Sequence, residues 1–153
     1  MARKSVLARM GLSVMALMLL TAAALYAAGA PAEIKMQAPY EHKKAIVVFT
    51  HQKHTLDYKI ACGECHHDDK GQPLTNLKES DPVKKCFDCH NKPGELKGKE
   101  AKGLPDKELR AYHANAVHDN CVGCHKKYNK ENKDKGQSAP QKCEECHPKK
   151  AKE

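Results

Sequence analysis

The stretch ACGECHHDD, residues 61–69, contains a CxxC pair that is followed at once by two histidines. A CxxC pair alone is compatible with a zinc site, a redox-active disulfide or a structural bridge. None of these uses requires a histidine directly after the second cysteine. The stretch therefore raises the question of what His66 and His67 do, and the rest of the chain supplies the answer.

The same motif occurs four times. Each of the 8 cysteines belongs to a CxxC pair, and each pair is followed directly by a histidine. CxxCH is the attachment motif of c-type haem, in which two thiols bond to one porphyrin edge and the next residue ligates the iron. We therefore predict four covalent haems. The attachment residues are Cys62, Cys65, Cys86, Cys89, Cys121, Cys124, Cys143 and Cys146, and the first iron ligands are His66, His90, His125 and His147.

Two other uses of eight cysteines explain fewer of the histidines. Four disulfides would suit an exported protein, and two Cys₄ zinc sites would suit paired CxxC motifs. Either arrangement leaves the four following histidines without a role. A thioredoxin-like redox site would have one CxxC pair on a βαβ scaffold, and the sequence has no such pattern.

Each haem iron also needs a ligand on its other face. Six histidines lie outside the motifs and are available for this role: His42, His51, His54, His67, His113 and His118. Methionine is the common alternative and raises the reduction potential, but Met36 is the one methionine beyond the N-terminal segment. The sequence therefore favours two histidines on each iron, which predicts low-potential, low-spin haems.

The order of these motifs resembles one known family. VVFTHQKH (47–54), CGECHH (62–67), a second CxxCH, AYHANAVHDNCVGCH (111–125) and a last CxxCH are similar to the tetrahaem class III cytochromes c, the cytochrome c3 family. The resemblance covers about residues 45–147. All four motifs have two residues between the cysteines, whereas two of the four motifs have four in many members of the family. In this respect the chain resembles the subgroup called type II, or related three- and four-haem periplasmic cytochromes.

The resemblance implies an interleaved set of second iron ligands. His51 would serve haem I, His67 haem II, His54 haem III and His118 haem IV, the haems being numbered by the order of their motifs. His42 and His113 would then be spare, and we expect both to be solvated or hydrogen-bonded surface residues.

The N-terminus is expected to be a signal peptide over residues 1–30, cleaved between about residues 28 and 32. Arg3, Lys4 and Arg9 precede an apolar run from about Gly11 to Ala28, and small residues follow it, which is typical of secretory signals. The rival interpretation is an uncleaved membrane anchor. Residues 31–153 would form the haem domain.

The predicted fold is a small, irregular, mostly α and coil domain with a short N-terminal β-hairpin. The segment after residue 30 contains no Trp and few large apolar residues, so four haems must form the core. Residues 33–44 should be an extended polar lead, and residues 45–49 a strand. A helix should run from Pro105 to about His118, and a second one from Cys121 to Tyr128.

The charge of the protein and the positions of its lysines indicate what kind of partner it binds. The sequence carries a formal charge of +8, and loss of the signal segment with Arg3, Lys4 and Arg9 would leave +5. Four ferric haem cores would add four positive charges and eight propionates eight negative ones, so the oxidised holoprotein would be near +1. Lysines cluster near the last two motifs and predict a patch that attracts acidic redox partners. They are Lys126, Lys127, Lys130, Lys142, Lys149, Lys150 and Lys152.

The haem motifs, together with the resemblance to the cytochrome c3 family, imply a periplasmic electron carrier that is not an enzyme. It would exchange electrons with hydrogenase, a dehydrogenase or a membrane-bound redox complex during anaerobic respiration of the sulfate-reducing type. It would need no small-molecule substrate and would not bind nucleic acid. The alternatives are a multihaem reductase of nitrite or metal ions, and a zinc-stabilised binding module.

Overall fold

A computed structural model describes residues 29–133, 136 and 138–148. The predicted signal peptide lies almost wholly outside these residues, as do Lys149, Lys150 and Lys152. Within the described part of the chain, no helix has both the length and the apolar character needed to cross a bilayer.

The chain begins with a small antiparallel hairpin. Strand β1 is Ile34–Lys35 and strand β2 is Val48–Phe49, with Ile34 opposite Phe49 and Lys35 opposite Val48. A further bond from Met36 N to Val47 O, 2.9 Å long, extends the pairing. The predicted hairpin is therefore confirmed. The lead over residues 33–44 supplies β1, and the strand predicted over residues 45–49 covers only Val48–Phe49.

Short helical turns follow β2. A π-helix covers Lys53–Asp57, and a 3₁₀-helix covers Cys62–Glu64. The α-helices are α1 (Cys86–Cys89), α2 (Asp106–Leu109), α3 (His113–Glu131) and α4 (Cys143–Cys146). Between these elements the chain forms turns and irregular segments, which agrees with the expected mostly α and coil architecture.

The predicted helix boundaries around residue 112 are wrong. The break falls at residues 110–112, and α3 then runs without interruption through His118 and Cys121. The cause is a contact with a distant segment. Lys92 N donates to Ala111 O at 3.0 Å, and His113 N donates to Lys92 O at 2.9 Å. These bonds hold residues 111 and 112 out of the helix, so that α3 begins at His113. Residues 119 and 120 lie inside α3 and make no such backbone bond to a distant described segment.

The described residues bury very little of their own side-chain surface. Ala38, at 5% exposure, and His113, at 7%, are the buried residues among them, and no side chain there is fully buried. A polypeptide of this size with so small an apolar core cannot offset the entropy lost on folding. The fold therefore needs a further source of apolar contact.

Candidate functional site

Each CxxCH motif forms a turn of helix that gathers its three functional residues. In three motifs the histidine N–H donates to the carbonyl of the first cysteine: His66 to Cys62 at 2.9 Å, His90 to Cys86 at 2.9 Å and His147 to Cys143 at 2.7 Å. The remaining motif lies inside α3. Residues three and four apart share one face of a helix, so both thiols and the imidazole lie on the same side.

Two of these turns begin with an acidic cap. The Asp88 carboxylate accepts from Lys85 N at 2.8 Å, and the Glu145 carboxylate accepts from Lys142 N at 2.9 Å. A carboxylate at the start of a helix accepts a hydrogen bond from an N–H group that has no partner within the helix. Its negative charge also interacts favourably with the positive end of the helix dipole. The residue before the second cysteine thus stabilises the turn that positions the thiols in α1 and α4.

The four motif histidines each have another histidine ring opposite them. The distances between ring centroids run from 5.9 to 6.5 Å. The pairs are His51 with His66 at 6.5 Å, His67 with His90 at 5.9 Å, His54 with His125 at 6.3 Å and His118 with His147 at 6.2 Å. The structure thus brings together the same four pairs that the sequence resemblance implies.

This spacing fits a metal ion between the two rings. Two imidazoles that each bind one ion through a ring nitrogen at about 2 Å hold their ring centres about 6 Å apart. Rings in direct stacking contact would lie closer, and unrelated rings would not repeat the distance four times. The residues present therefore fit four haem irons, each of which one histidine pair would hold.

Most of these rings also have one nitrogen already occupied. The Nδ1–H group of five of them donates to a backbone carbonyl, which leaves Nε2 free to bind a metal. The acceptors are Thr50 O for His54 (2.9 Å), Asp68 O for His67 (2.7 Å), Arg110 O for His90 (2.5 Å), Pro140 O for His125 (2.6 Å) and Ala45 O for His147 (2.7 Å).

The remaining rings differ in their surroundings. His118 Nδ1 lies 3.4 Å from the Glu95 carboxylate rather than beside a backbone carbonyl. His51 Nδ1 is buried without a hydrogen-bond partner among the described residues. Burial and the neighbouring rings of His51 and His67 lower the pKa of His66, which favours the neutral imidazole that ligates metal.

His51 and His54 reach the site from one turn of chain beside β2. His54 N donates to Thr50 O at 3.3 Å, so the two histidines project from the start of the same helical turn. The Phe49 ring lies 5.9 Å from the His51 ring and 4.6 Å from the His54 ring, measured between centroids. One aromatic side chain therefore packs against both histidines and restricts their orientation.

His67 is held by a tight loop. Asp68 Oδ1 accepts from Lys70 N at 2.9 Å and from Gln72 N at 2.8 Å, which closes residues 68–72. The returning chain pairs with His67 at Pro73. Gly63 lets this chain approach closely, since a Cβ there would lie 3.2 Å from the Leu74 backbone.

The two spare histidines are not equivalent, and the surface role expected for His113 is wrong. His113 is buried, its Nδ1 is hydrogen-bonded to the Tyr40 hydroxyl at 2.9 Å, and its ring lies 5.5 Å from Phe87. His42 stacks on Tyr40 at 4.5 Å. Sequence reasoning missed this aromatic cluster because its members are far apart in the chain.

The surroundings of the cysteine thiols differ from those of a reactive CxxC pair. All eight thiols are unpaired, and no group of three or more His, Cys, Asp or Glu side chains in the described segments is placed to hold a metal ion. Reactive CxxC thiols have lowered pKa values. Burial instead raises the pKa of Cys121 to about 11, and it raises the pKa of Cys65, Cys86 and Cys146 as well.

Comparison with known proteins supports the family that the haem motifs indicate. Residues 26–148 match the model of the class III cytochrome c family. The chain is also 37% identical over 125 residues to cytochrome c3 of Maridesulfovibrio salexigens, an alignment that covers 79% of this chain and 97% of that protein. No solved structure gives a significant match. The chain therefore belongs to the class III cytochrome c family, whose members bind c-type haem and transfer electrons, and its four CxxCH motifs account for four haems.

Proposed function

We propose that the chain is a low-potential periplasmic electron carrier in which two histidines ligate each of four haem irons. His66 and His51 would hold haem I, His90 and His67 haem II, His125 and His54 haem III, and His147 and His118 haem IV. The observation that carries this proposal is the set of four ring pairs with centroids 5.9 to 6.5 Å apart. The covalent attachment would be through the eight motif cysteines.

Bound haem supplies one-electron chemistry, because its iron alternates between the ferric and ferrous states. The protein contributes ligands, orientation and the local field. Imidazole on both faces disfavours a high potential, in contrast to methionine on one face. The carbonyls that accept from Nδ1–H fix the tautomer of five rings and increase their basicity, which favours the ferric state.

The sequence also links neighbouring haems. His66 and His67 are consecutive, so their Cα atoms are about 3.8 Å apart, yet their rings face different partners, His51 and His90. His51 and His54 join a second pair of haems in the same way. These links would keep haems I, II and III close together, which suits rapid electron exchange inside one small protein.

An electron carrier of this kind would need no substrate pocket and no open iron position. Each ring pair would fill both axial positions of its iron, so the chain would act as a carrier and not as an enzyme. Electrons would instead enter and leave at haem edges on the protein surface. The described lysines of the expected patch, Lys126, Lys127, Lys130 and Lys142, are all exposed, which suits an acidic partner such as hydrogenase or a membrane redox complex.

Carbon monoxide binding tests the absence of an open position. The reduced protein carrying four haems should keep an unchanged spectrum under carbon monoxide, because strong imidazole ligation blocks both faces of each iron. A large spectral change in the wild-type protein would favour a multihaem reductase instead. Electron exchange with purified hydrogenase, slowed by added salt, tests the partner class.

A further inference from the structure

The loop over residues 94–97 is fastened to the start of α3. Ala114 N donates to Gly94 O at 3.0 Å. The Asn115 side chain binds Leu96 at both backbone atoms, accepting from its N–H at 2.8 Å and donating to its carbonyl at 2.9 Å. These three bonds hold the loop one helical turn before His118 and do not involve the Glu95 side chain.

The loop brings a carboxylate to a histidine of the fourth pair. Glu95 Oε1 lies 3.4 Å from His118 Nδ1, and Glu95 Oε2 accepts from Lys97 Nζ at 2.9 Å. A glutamate side chain is ordinarily ionised at neutral pH, so His118 faces a negative charge that Lys97 shares. In the five pairings described above, by contrast, the Nδ1 partner is an uncharged carbonyl.

A charged acceptor acts on the iron through the imidazole. A carboxylate that faces Nδ1–H orients the ring and strengthens the donor character of Nε2 more than a carbonyl does. A stronger donor and a nearby negative charge both favour the ferric core, with its extra positive charge, over the ferrous core. Lys97 partly neutralises that charge and therefore limits the effect.

We propose that Glu95 is a positioning residue that orients His118 and lowers the reduction potential of the fourth haem, and that Lys97 limits the size of this decrease. This inference rests on the proposed ligation of that haem by His118 and His147. The Glu95 carboxylate would give the fourth haem a reduction potential different from the value that two histidine ligands alone would produce. A difference of this kind would give electrons a preferred order of entry.

The test is a set of redox titrations at one fixed pH, in which the haem methyl signals in NMR spectra report each haem separately. Glu95→Gln removes the negative charge and keeps a side-chain oxygen that can accept from His118. The bonds of Asn115 to Leu96 do not involve the Glu95 side chain, so the loop should stay in place. We expect the reduced-to-oxidised ratio of the fourth haem at a fixed potential to rise about tenfold, which is about 59 mV for a one-electron couple. Lys97→Gln should shift the same potential downward.

Glu144→Gln is the matched control, because Glu144 lies between Cys143 and Cys146 and carries the same charge without an Nδ1 contact. It should change the fourth potential less than Glu95→Gln does and leave the methyl shifts of that haem in place. Equal effects of the two variants, or an upward shift in Lys97→Gln, would overturn the proposal.

His118→Ala separates this inference from the function on which it rests. Loss of one low-spin haem in His118→Ala, together with an unshifted potential in Glu95→Gln, would reject the role of Glu95 and leave the ligation intact. Four unchanged low-spin haems in His118→Ala would reject the ligand assignment and this inference with it.

Discussion

Replacing His67 by alanine should open one iron position per chain and leave four haems attached. His67 faces His90 with 5.9 Å between the ring centroids. In the proposed arrangement Cys86 and Cys89 would provide the covalent attachment of the same haem. The two histidines outside the four pairs are already engaged. His113 is 7% exposed and bonded to Tyr40, and His42 Nε2 lies 3.0 Å from Ala38 O.

The expected size of the effect follows from one open iron position among four haems. The reduced His67→Ala protein should bind one carbon monoxide molecule per four haems, and about a quarter of its haem absorbance should lose low-spin character. The assay is a carbon monoxide titration followed by absorbance, with haem content measured after denaturation in pyridine. Wild-type protein and the His42→Ala control should bind none. A His67→Ala protein that retains four haems and binds no carbon monoxide would refute the assignment of His67.

Three further predictions concern the aromatic cluster and the lysines. Tyr40→Phe should lower the free energy of unfolding by about 1 kcal/mol in denaturant titrations, because it removes the hydrogen bond to His113, whereas Tyr112→Phe should have a smaller effect. Burial, with the nearby charges of His42 and His90, lowers the pKa of His113, so the unfolded state binds its proton more readily and stability should fall as pH drops below about 6.5. His113→Gln should flatten that pH dependence, and an equally steep curve would contradict the burial argument. The double change Lys126→Glu and Lys127→Glu should slow electron exchange with an acidic partner several-fold at low salt, and the difference should shrink at high salt.

The sequence was most informative where a function depends on short-range spacing. A histidine four residues after the first cysteine of each motif returns to the same face of a helical turn, so the CxxCH pattern alone predicts the local geometry. The hairpin followed similarly from the β-branched run before Phe49. The pairing of distant histidines required the family resemblance, because nothing local connects His54 with His125.

Features set by long-range contacts could not be predicted. The break before α3 depends on bonds between Lys92 and residues 111 and 113, which lie about twenty positions away. Helix propensity favours continuation there, and tertiary pairing overrides it. The burial of His113 has the same origin, since Tyr40 and Phe87 come from separate segments. Glu95 lies beside His118 because the bonds of Ala114 and Asn115 fasten its loop to α3. A single glutamate in a polar loop of the sequence does not predict that contact.

The central claim is that eight histidines hold four irons in four pairs. Near-infrared magnetic circular dichroism of the fully oxidised protein, combined with haem quantification, tests it most directly, because the charge-transfer bands distinguish bis-imidazole from imidazole–thioether and high-spin iron. We predict four haems per chain, all with bis-imidazole bands. A methionine-type band, or a high-spin fraction near a quarter of the haem, would contradict the four histidine pairs.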